Sequence, residues 1–252
     1  MRLEVLGCHG GEVPDLRLPT FLVNGRILLE AGAVTSALPL EDQINVEHVL
    51  ISHAHLDHTV GLAFLVDNVQ SATGRPGAVR TASIGPVIDD LRAHCFNNRL
   101  WPDFTLLPPE APVLRFEALP EGRETRVAGV SVIPVPVHHA VPAAGFVFSD
   151  GGSGFVFSGD TGPTTRLWEV ARNVGRMRAV VVETAFPNRL EALARRSGHL
   201  TPGLLQREME KMPDAPVWVY HIKPTYYEET AEELARLDGR VQILKQGQSY
   251  QF

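Results

Sequence analysis

The sequence predicts a mixed α and β chain (α+β or α/β) that folds as a four-layer αββα sandwich, a single domain over residues 1–252. Three observations indicate this fold. Strand-like segments occur in two blocks, and helical segments follow each block. A length of 252 residues with 44% hydrophobic content is enough for one large core. We find no repeat, linker or low-complexity tract that would divide the chain.

The first block opens as a β meander. Alternating or β-branched runs indicate its strands, and Asn24-Gly25 is a strong hairpin signal. Several prolines break the segment that ends the block. We predict strands over residues 3–6, 21–23, 27–29 and 49–51, helices over 59–68 and 89–94, and an irregular loop over 101–112.

The second block also begins with strands. Glycines between two Phe-rich runs indicate a hairpin, and Thr201 followed by Pro202 indicates a helix start. Gly239 is expected to cap the last helix. We predict strands over residues 127–137, 146–148, 155–157, 179–182, 217–220, 241–244 and 249–252, and helices over 166–173, 202–212 and 226–237.

Charge and cysteine content restrict the possible functions. A formal net charge of −6 argues against general binding of polyanions, which depends on Lys and Arg. Cys8 and Cys95 are too few for a disulfide framework, which suits a reducing cytoplasm. Residues 1–11 have no apolar stretch long enough for a secretion signal or membrane span. We therefore expect a cytoplasmic protein without a membrane partner.

A histidine-rich run follows the predicted strand over residues 49–51 and reads His53-Ala54-His55-Leu56-Asp57-His58. In a tight turn, His53 and His55 can direct two imidazoles to one ion, while Asp57 and His58 point towards a second position. Such nitrogen and carboxylate ligands suit zinc, manganese or iron. The alternative is a polar turn whose histidines face solvent.

Further candidate ligands stand where other predicted strands end. His138 and His139 close one strand, Asp160 closes another, and His221 closes a third. A carboxylate can bridge two cations, and a pair about 3.5–4 Å apart can hold a hydroxide as nucleophile. A lone histidine at a strand end is more often structural, but their shared position favours a metal site.

Together these segments, with Ser158-Gly159-Asp160-Thr161, resemble the motif series of the metallo-β-lactamase superfamily over nearly the whole chain. The resemblance implies that fold and two divalent metal ions, with zinc expected and manganese or iron as alternatives. It implies one metal on His53, His55 and His139, the other on Asp57, His58 and His221, and Asp160 as the bridge. His139 is preferred because the sequence after it resembles the stretch that follows the ligand histidine in tRNase Z-like members. His138 remains the alternative.

Two residues outside the ligand set indicate the bond that is cleaved. Glu183 follows a buried strand and His199 precedes the helix capped by Thr201, so both can reach the same sheet edge. A carboxylate can orient a histidine as a proton donor. The pair resembles that of phosphodiesterase branches of the superfamily. The alternative is an ordinary histidine beside a helix.

Longer matches resemble class II 3′,5′-cyclic-nucleotide phosphodiesterases, among them residues 183–188, 197–202 and 221–224. This resemblance implies hydrolysis of cAMP or cGMP to nucleoside 5′-monophosphates by a metal-bound hydroxide. Asp57 would orient the nucleophile, and His199 would supply a proton with Glu183 as its support. One departure is Glu30, where relatives often have Asp, and it affects only a role behind the metal ligands.

The same resemblance suggests residues that contact the substrate. Asn97, Trp101 and Phe104 offer amide and aromatic groups for hydrogen bonding to and stacking on a base. Core aromatics beneath a proline-rich loop are the alternative for Trp101 and Phe104. Lys223 follows the ligand His221 and is a candidate for contacting phosphate, with a solvated lysine as its alternative.

Three other functions compete with this hypothesis. A tRNase Z-like endoribonuclease shares the ligands but inserts a basic arm between ligand histidine and bridging aspartate, where this chain has a short hairpin between His139 and Asp160. A lactone or thioester hydrolase, or a catalytically silent binding module, would keep the same scaffold. We expect a small-molecule phosphodiester substrate and no extended nucleic acid, and the sequence leaves a homodimer open.

Overall fold

The computed structural model describes residues 1–72, 77–237 and 239–252, and two seven-stranded sheets make up its centre. In the first sheet the order is β14-β1-β2-β3-β4-β5-β6. Its strands are β1 (Arg2–Gly7), β2 (Thr20–Val23), β3 (Ile27–Leu29), β4 (His48–Leu50), β5 (Val79–Ser83), β6 (Leu114–Ala118) and β14 (Ser249–Gln251). The segment from β3 to β6 is parallel, whereas β1 pairs antiparallel with β2 and β14.

The second sheet has the order β13-β12-β11-β10-β9-β8-β7. Its strands are β7 (Thr125–Val127), β8 (Val130–Pro136), β9 (Ala144–Ser149), β10 (Gly154–Phe157), β11 (Met177–Glu183), β12 (Val217–Tyr220) and β13 (Val241–Ile243). Strands β10 to β13 are parallel and β7 to β10 antiparallel. Each half of the molecule therefore combines a meander with parallel strands.

Helices cover the outer faces of both sheets. Their bounds are α1 (Val34–Ala37), α2 (Leu40–Gln43), α3 (Leu56–Ser71), α4 (Gly85–Asp90), α5 (Arg166–Asn173), α6 (Glu191–Ser197), α7 (Pro202–Met209) and α8 (Tyr227–Leu234). A π-helical turn over Leu91–Cys95 continues α4, and short 3₁₀ turns cover Asn188–Leu190 and Pro224–Tyr226. Among the described residues, no helix has both the length and the apolar character that crossing a bilayer requires.

Three apolar clusters separate these layers. The middle cluster joins the two sheets, with Phe21 from one and Phe148 from the other, and the outer clusters lie between each sheet and its helices. Along β11, Val181 faces the middle cluster and Val180 the outer one, since successive side chains point to opposite faces. The predicted αββα sandwich is confirmed.

The structure confirms several predicted turns and helix starts, and residues within each turn or cap explain why they form. Asn24 and Gly25 both have positive φ (52° and 67°) in the turn between β2 and β3. In the β9–β10 turn, the Asp150 carboxylate accepts hydrogen bonds from the backbone of Gly152 and Ser153. Thr201 caps α7 by accepting from the backbone of Leu204. Each of these contacts joins residues that are only a few positions apart in the chain, which is why the sequence predicts the turns and the helix start.

Other predictions need correction. The single strand predicted over residues 127–137 is a hairpin, because Ala128 and Gly129 turn the chain with positive φ (45° and 85°). The helix predicted over 89–94 begins at Gly85, where Pro86 occupies the first turn. Helix α7 ends at Met209 rather than Met212, and β5, β6 and α6 were not predicted.

Candidate metal centre

The histidine-rich run lies where β4 ends and α3 begins. His53 is fully buried after the strand, His55 is the N-cap residue of α3, and Asp57 and His58 lie in its first turn. The rings of His53 and His55 approach that of His139, with centroid distances of 4.6 and 5.0 Å. These three histidines form one group whose ligand atoms lie within 4.8 Å of one another.

A second group, Asp57, His58, Asp160 and His221, meets the same criterion. His221 Nε2 lies 3.2 Å from Asp57 Oδ2 and 3.2 Å from Asp160 Oδ2. His58 Nε2 lies 3.4 Å from Asp160 Oδ2 and 3.3 Å from His221 Nε2. This group brings together the ends of β10 and β12 with the start of α3.

Asp160 connects the two groups. Its Oδ2 lies 3.7 Å from His53 Nε2 in the first group, as well as beside His58 and His221 in the second. Asp160 Oδ1 and His53 Nε2 are buried and have no hydrogen-bond partner among the described residues. Buried polar atoms without partners are rare in folded proteins. Convergent nitrogen and carboxylate atoms of this kind fit divalent metal ions.

Hydrogen bonds behind the first group orient two of its histidines. Ser52 Oγ lies 2.9 Å from His53 Nδ1, and the Gly198 carbonyl accepts from His139 Nδ1 at 2.9 Å. Such contacts at Nδ1 direct Nε2 towards the centre and fix the tautomer of a metal-binding histidine. Neither Ser52 nor Gly198 is singled out as a site residue from the sequence: Gly198 lies 59 positions from His139, and Ser52, although next to His53, carries no sign in the sequence of its contact with Nδ1.

Glu30 orients His58. Its side chain is fully buried, Oε1 lies 3.4 Å from His58 Nδ1, and Oε2 accepts from the Ser52 backbone at 3.2 Å. Glu30 also has a φ of 60°, which is uncommon for a residue with a Cβ. Glu30, which stands where relatives often have the shorter Asp, thus contacts both the ligand candidate His58 and the backbone of Ser52 after β4.

Burial and charge set the protonation of the metal-free cluster. Burial holds the pKa values of His53, His55 and His139 below the usual value for histidine, for His139 at about 4. These imidazoles are therefore neutral near pH 7, the form that binds metal. Burial also opposes a charge on His58. The carboxylates of Asp160 and Glu30 outweigh this effect and raise the pKa of His58 well above the usual range.

Glu183 and His199 lie together beside the second group. Glu183 Oε1 lies 2.9 Å from His199 Nδ1 and also accepts from the backbone of Thr161 and Leu200. The His199 ring stacks on that of His221 with a centroid distance of 5.5 Å and an interplanar angle of 17°. Burial raises the pKa of Glu183 and lowers that of His199. With Nδ1 engaged, His199 has Nε2 left for a ligand.

The predicted substrate residues are more dispersed. The Asn97 amide is engaged within its own loop, donating to the Ala93 carbonyl and accepting from two backbone N–H groups. Phe104 is 4% exposed within the core, so its ring has almost no free surface for a base. Trp101 is half-buried, and Lys223 Nζ donates to the Gly10 carbonyl at 3.1 Å.

The two neighbouring histidines after β8 have different surroundings. His139 belongs to the first ligand group, whereas His138 is exposed and belongs to none of the ligand groups found in the described part of the chain. His9, in the loop after β1, is buried with its ring 5.7 Å from that of Tyr227. It too lies outside these groups.

Comparison with known proteins connects this geometry to a family. A model of the β-lactamase superfamily domain matches residues 25–222. A probable 3′,5′-cyclic-nucleotide phosphodiesterase from Yersinia pestis is 28% identical and covers 88% of this chain and 78% of its own length. Unliganded yeast PDE1 superposes with a TM-score of 0.83 at 18% identity, over 98% of both chains. The short form of human tRNase Z gives 0.71 at 14%, over 100% and 99%. The two structural likenesses show the shared fold.

Proposed function

This chain belongs to the β-lactamase superfamily and is a metallo-hydrolase, and we propose that it hydrolyses 3′,5′-cyclic nucleotides to nucleoside 5′-monophosphates with two metal ions. The observation that carries the proposal is the Glu183–His199 pair, which lies against His221 at the edge of the second ligand group. A donor beside a cation site suits a phosphodiester, whose leaving oxygen needs a proton. The name of the Yersinia relative supports the substrate class.

In this proposal the two ligand groups hold one ion each. His53, His55 and His139 take the first, Asp57, His58 and His221 the second, and Asp160 contacts both. Zinc is the proposed metal, with manganese or iron as alternatives. Bound ions supply positive charge that neutralises phosphate oxygens and acidifies water.

The protein's own residues then divide the remaining work. Asp57, one carboxylate oxygen of which faces His221, orients the attacking water. One proton would leave the attacking water for solvent and its oxygen would bond to phosphorus as the P–O3′ bond breaks. The 3′ oxygen would then take a proton from Nε2 of the His199 imidazolium. Glu183 holds the opposite nitrogen of that ring. Lys223, which follows the ligand candidate His221 and Ile222 in the chain, is proposed to contact a phosphate oxygen. Trp101 is proposed to contact the base.

The second hairpin supports a small substrate over tRNA. Residues 150–153 alone join β9 to β10. The chain between His139 and Asp160 is therefore too short to include an RNA-binding arm. We also propose the reducing cytoplasm as its location, which the two free thiols of Cys8 and Cys95 support.

A turnover screen tests this proposal. Purified protein with zinc or manganese is incubated separately with cAMP, cGMP, a 2′,3′-cyclic nucleotide and pre-tRNA. We expect 5′-monophosphate from the 3′,5′-cyclic substrates, and hydrolysis of pre-tRNA alone would overturn the proposal. His139→Asn should abolish turnover, and His138→Asn is the matched control that should retain it. Turnover of lactones or thioesters without phosphodiesters would also contradict the assignment.

A further inference from the structure

A pocket of about 620 Å³ lies where β11 and β12 begin, at the edge of the second sheet opposite the candidate metal centre. Arg172, Arg176 and Arg178 line it, and we call it the arginine pocket. We infer that the arginine pocket binds a small organic molecule that carries a phosphate ester. The inference is independent of the proposed hydrolysis, because it concerns a second site.

The arginine pocket is separate from the candidate metal centre. Strand β11 begins with Met177, which lines the pocket, and ends with Glu183 beside the second ligand group. A strand of seven residues at about 3.3 Å per residue spans about 20 Å. No residue of either ligand group is among the described residues that line the pocket. A small molecule bound here is therefore too far away to contact the candidate metal ligands.

A β-bulge at the start of β11 accounts for the exposure of Arg178. Gly154 of β10 is opposite Met177. The next residue of β10, Phe155, is opposite Ala179, so Arg178 is an extra residue in β11. Met177 consequently packs in the outer apolar cluster and Ala179 in the middle one, whereas in a regular strand both would point to the same face. Bulges redirect side chains in this way, and here a charged side chain is left to line a pocket.

The other two arginines are held by the chain around them. Arg172 lies in the last turn of α5, and its Nη1 donates to the Lys211 carbonyl at 2.9 Å. The Arg176 carbonyl accepts from the Gly154 backbone at 3.0 Å, which ties the start of β11 to β10. Within the described residues, neither Arg176 nor Arg178 has an ion pair or a side-chain hydrogen bond, and both are exposed. Their guanidinium groups are therefore available to a ligand.

The charge of the arginine pocket is opposite to that of the whole protein. The chain has a formal net charge of −6, yet three guanidinium groups line this pocket. The only carboxylate among its described lining residues belongs to Asp214, whose Oδ1 lies 3.7 Å from Arg240 Nη1. Arg240 thus offsets this negative charge, and the pocket keeps a positive potential that attracts anions.

A phosphate ester is the anion that suits such a group of arginines. Each guanidinium is a planar fork of N–H donors that binds phosphate oxygens in pairs. A phosphate monoester offers three terminal oxygens and a charge of about −1.5 to −2 near pH 7, whereas a carboxylate offers two oxygens and a single charge. A phosphate group therefore engages more of the donors that the arginine pocket presents.

Apolar side chains also line the arginine pocket. Met177 and Met212 are each only 6% exposed and form part of its wall. Methionine side chains adapt to the shape of an apolar ligand. A volume of about 620 Å³ lies within the usual range for small-molecule sites, and a bare phosphate ion would fill only a small part of it. We therefore expect the ligand to carry an apolar group beside its phosphate.

Arginine labelling tests the inference with phenyl phosphate as the probe. Metal-loaded protein is treated with phenylglyoxal at low conversion, and modification of each arginine is followed by mass spectrometry. We expect phenyl phosphate to slow modification of Arg176 and Arg178 at concentrations about tenfold or more below those needed with inorganic phosphate or benzoate. Arg123 is the internal control, since it is exposed and does not line the pocket, and its rate should not change. Protection should persist after EDTA treatment.

Each other outcome overturns the inference. Equal protection of Arg123 would show a general ionic effect rather than a site. No protection by phenyl phosphate, or an Arg176 and Arg178 that stay unreactive while Arg123 reacts, would show that the pocket does not admit such a ligand in solution. A smaller difference from inorganic phosphate or from benzoate would refute the need for the organic group or for the phosphate. Protection that disappears with EDTA would assign the effect to the metal centre.

A variant pair tests the same inference within the pocket. Arg178→Gln removes one guanidinium fork, so protection of Arg176 should need about tenfold more phenyl phosphate, because hydrogen bonds between charged groups contribute strongly to binding. Arg123→Gln is the matched control and should leave protection of Arg176 unchanged. Circular dichroism checks the fold of both variants. Equal protection of Arg176 in the two variants would reject the arginine pocket as the binding site.

Discussion

Gly10 lies directly against His221, so closely that a Cβ on Gly10 would stand 2.4 Å from the His221 carbonyl oxygen and 2.8 Å from Nδ1. The His221 backbone has a φ of 69° and donates to the Cys8 carbonyl at 2.7 Å, while Gly10 donates to Ile222 at 3.1 Å. Residues rarely keep such a backbone unless their surroundings impose it. The loop after β1 thus holds a candidate metal ligand in position.

Gly10→Ala should therefore weaken metal binding. The added methyl group must displace His221, and misplacing a ligand or its support typically costs about 10- to 100-fold in affinity. Chelator competition measures this for zinc, and circular dichroism checks the fold. Gly85→Ala is the control, since a Cβ there meets nothing within 4 Å. Equal metal affinity in both variants would show that the loop does not position His221.

Glu183→Gln should impair hydrolysis of cyclic nucleotides by about 10²- to 10⁴-fold. Gln can keep the three hydrogen bonds accepted by Glu183 Oε1, because Oε2 has no partner among the described residues. Burial raises the pKa of Glu183, so only its ionised form can favour a protonated His199, and the variant removes that ionised form. Loss of that charge lowers the pKa of His199, so the alkaline limb of kcat should move to lower pH.

Two substrates separate proton donation from structural damage in Glu183→Gln. The leaving group of bis(p-nitrophenyl) phosphate departs as a stable phenolate and needs little protonation, whereas the 3′ oxygen of cAMP is a poor leaving group. Rates for the aryl ester should fall far less than rates for cAMP. Equal losses for both would assign Glu183 a role in the architecture of the site instead.

The ligand candidates could be predicted from sequence because each stands at the end of a recognisable strand or in one short run. The contacts of their supports could not: the resemblance indicates a role behind the ligands at Glu30, but Glu30 meets His58 only after β3 and β4 pair side by side. The contact between the rings of Phe64 and Trp101 is similar, since these residues are far apart in the chain and meet through tertiary packing. Phe104 shows the converse: the sequence suggests that its ring contacts a base, but the ring is buried in the core.

The fold shows the same division between local and distant causes. Hairpins with Asn-Gly or Asp-Gly turns were predicted, because those residues specify the turn themselves. Strand β5 includes Arg80 and Thr81 and has little apolar alternation of its own, and it forms between β4 and β6. Strand preference depends strongly on such neighbours.

The metal-free protein should lose stability as the pH falls from about 6.5 to 4. Burial lowers the folded-state pKa values of His53, His55 and His139, so the unfolded chain binds more protons in this window. The raised pKa of Glu183 acts in the opposite direction, but burial also lowers the pKa values of His9, His48 and His199, so the histidines outnumber it. The raised pKa of His58 contributes stability that is lost only as the pH rises above about 6.5, outside this window.

Urea denaturation after EDTA treatment measures this effect. We expect the free energy of unfolding to be lower at pH 5 than at pH 7 by about 1 kcal/mol or more. His139→Asn removes one titrating group and should reduce the difference. A stability that stays constant or rises towards pH 5 would show that the buried histidines do not control acid sensitivity.

Glu30→Gln should destabilise the fold and weaken metal binding together. Glu30 accepts a hydrogen bond from the Ser52 backbone with one oxygen, and its other oxygen faces His58 Nδ1 at 3.4 Å, so the native carboxylate presents an acceptor to both nitrogens. A Gln amide has one oxygen that accepts and one NH₂ group that only donates. The NH₂ group must therefore face either the Ser52 N–H or His58 Nδ1. An unsatisfied buried donor costs about 1–3 kcal/mol, measurable as a lower urea midpoint.

Glu30→Asp provides the informative comparison. Asp keeps two acceptor oxygens but is one methylene shorter, so it should retain more zinc affinity than Gln while leaving a small void. Glu117→Gln is the surface control, since this partly exposed carboxylate on β6 pairs only with arginines in the described contacts. If Glu30→Gln and Glu117→Gln behaved alike in both chelator competition and urea denaturation, Glu30 would have no part in holding His58 towards the metal.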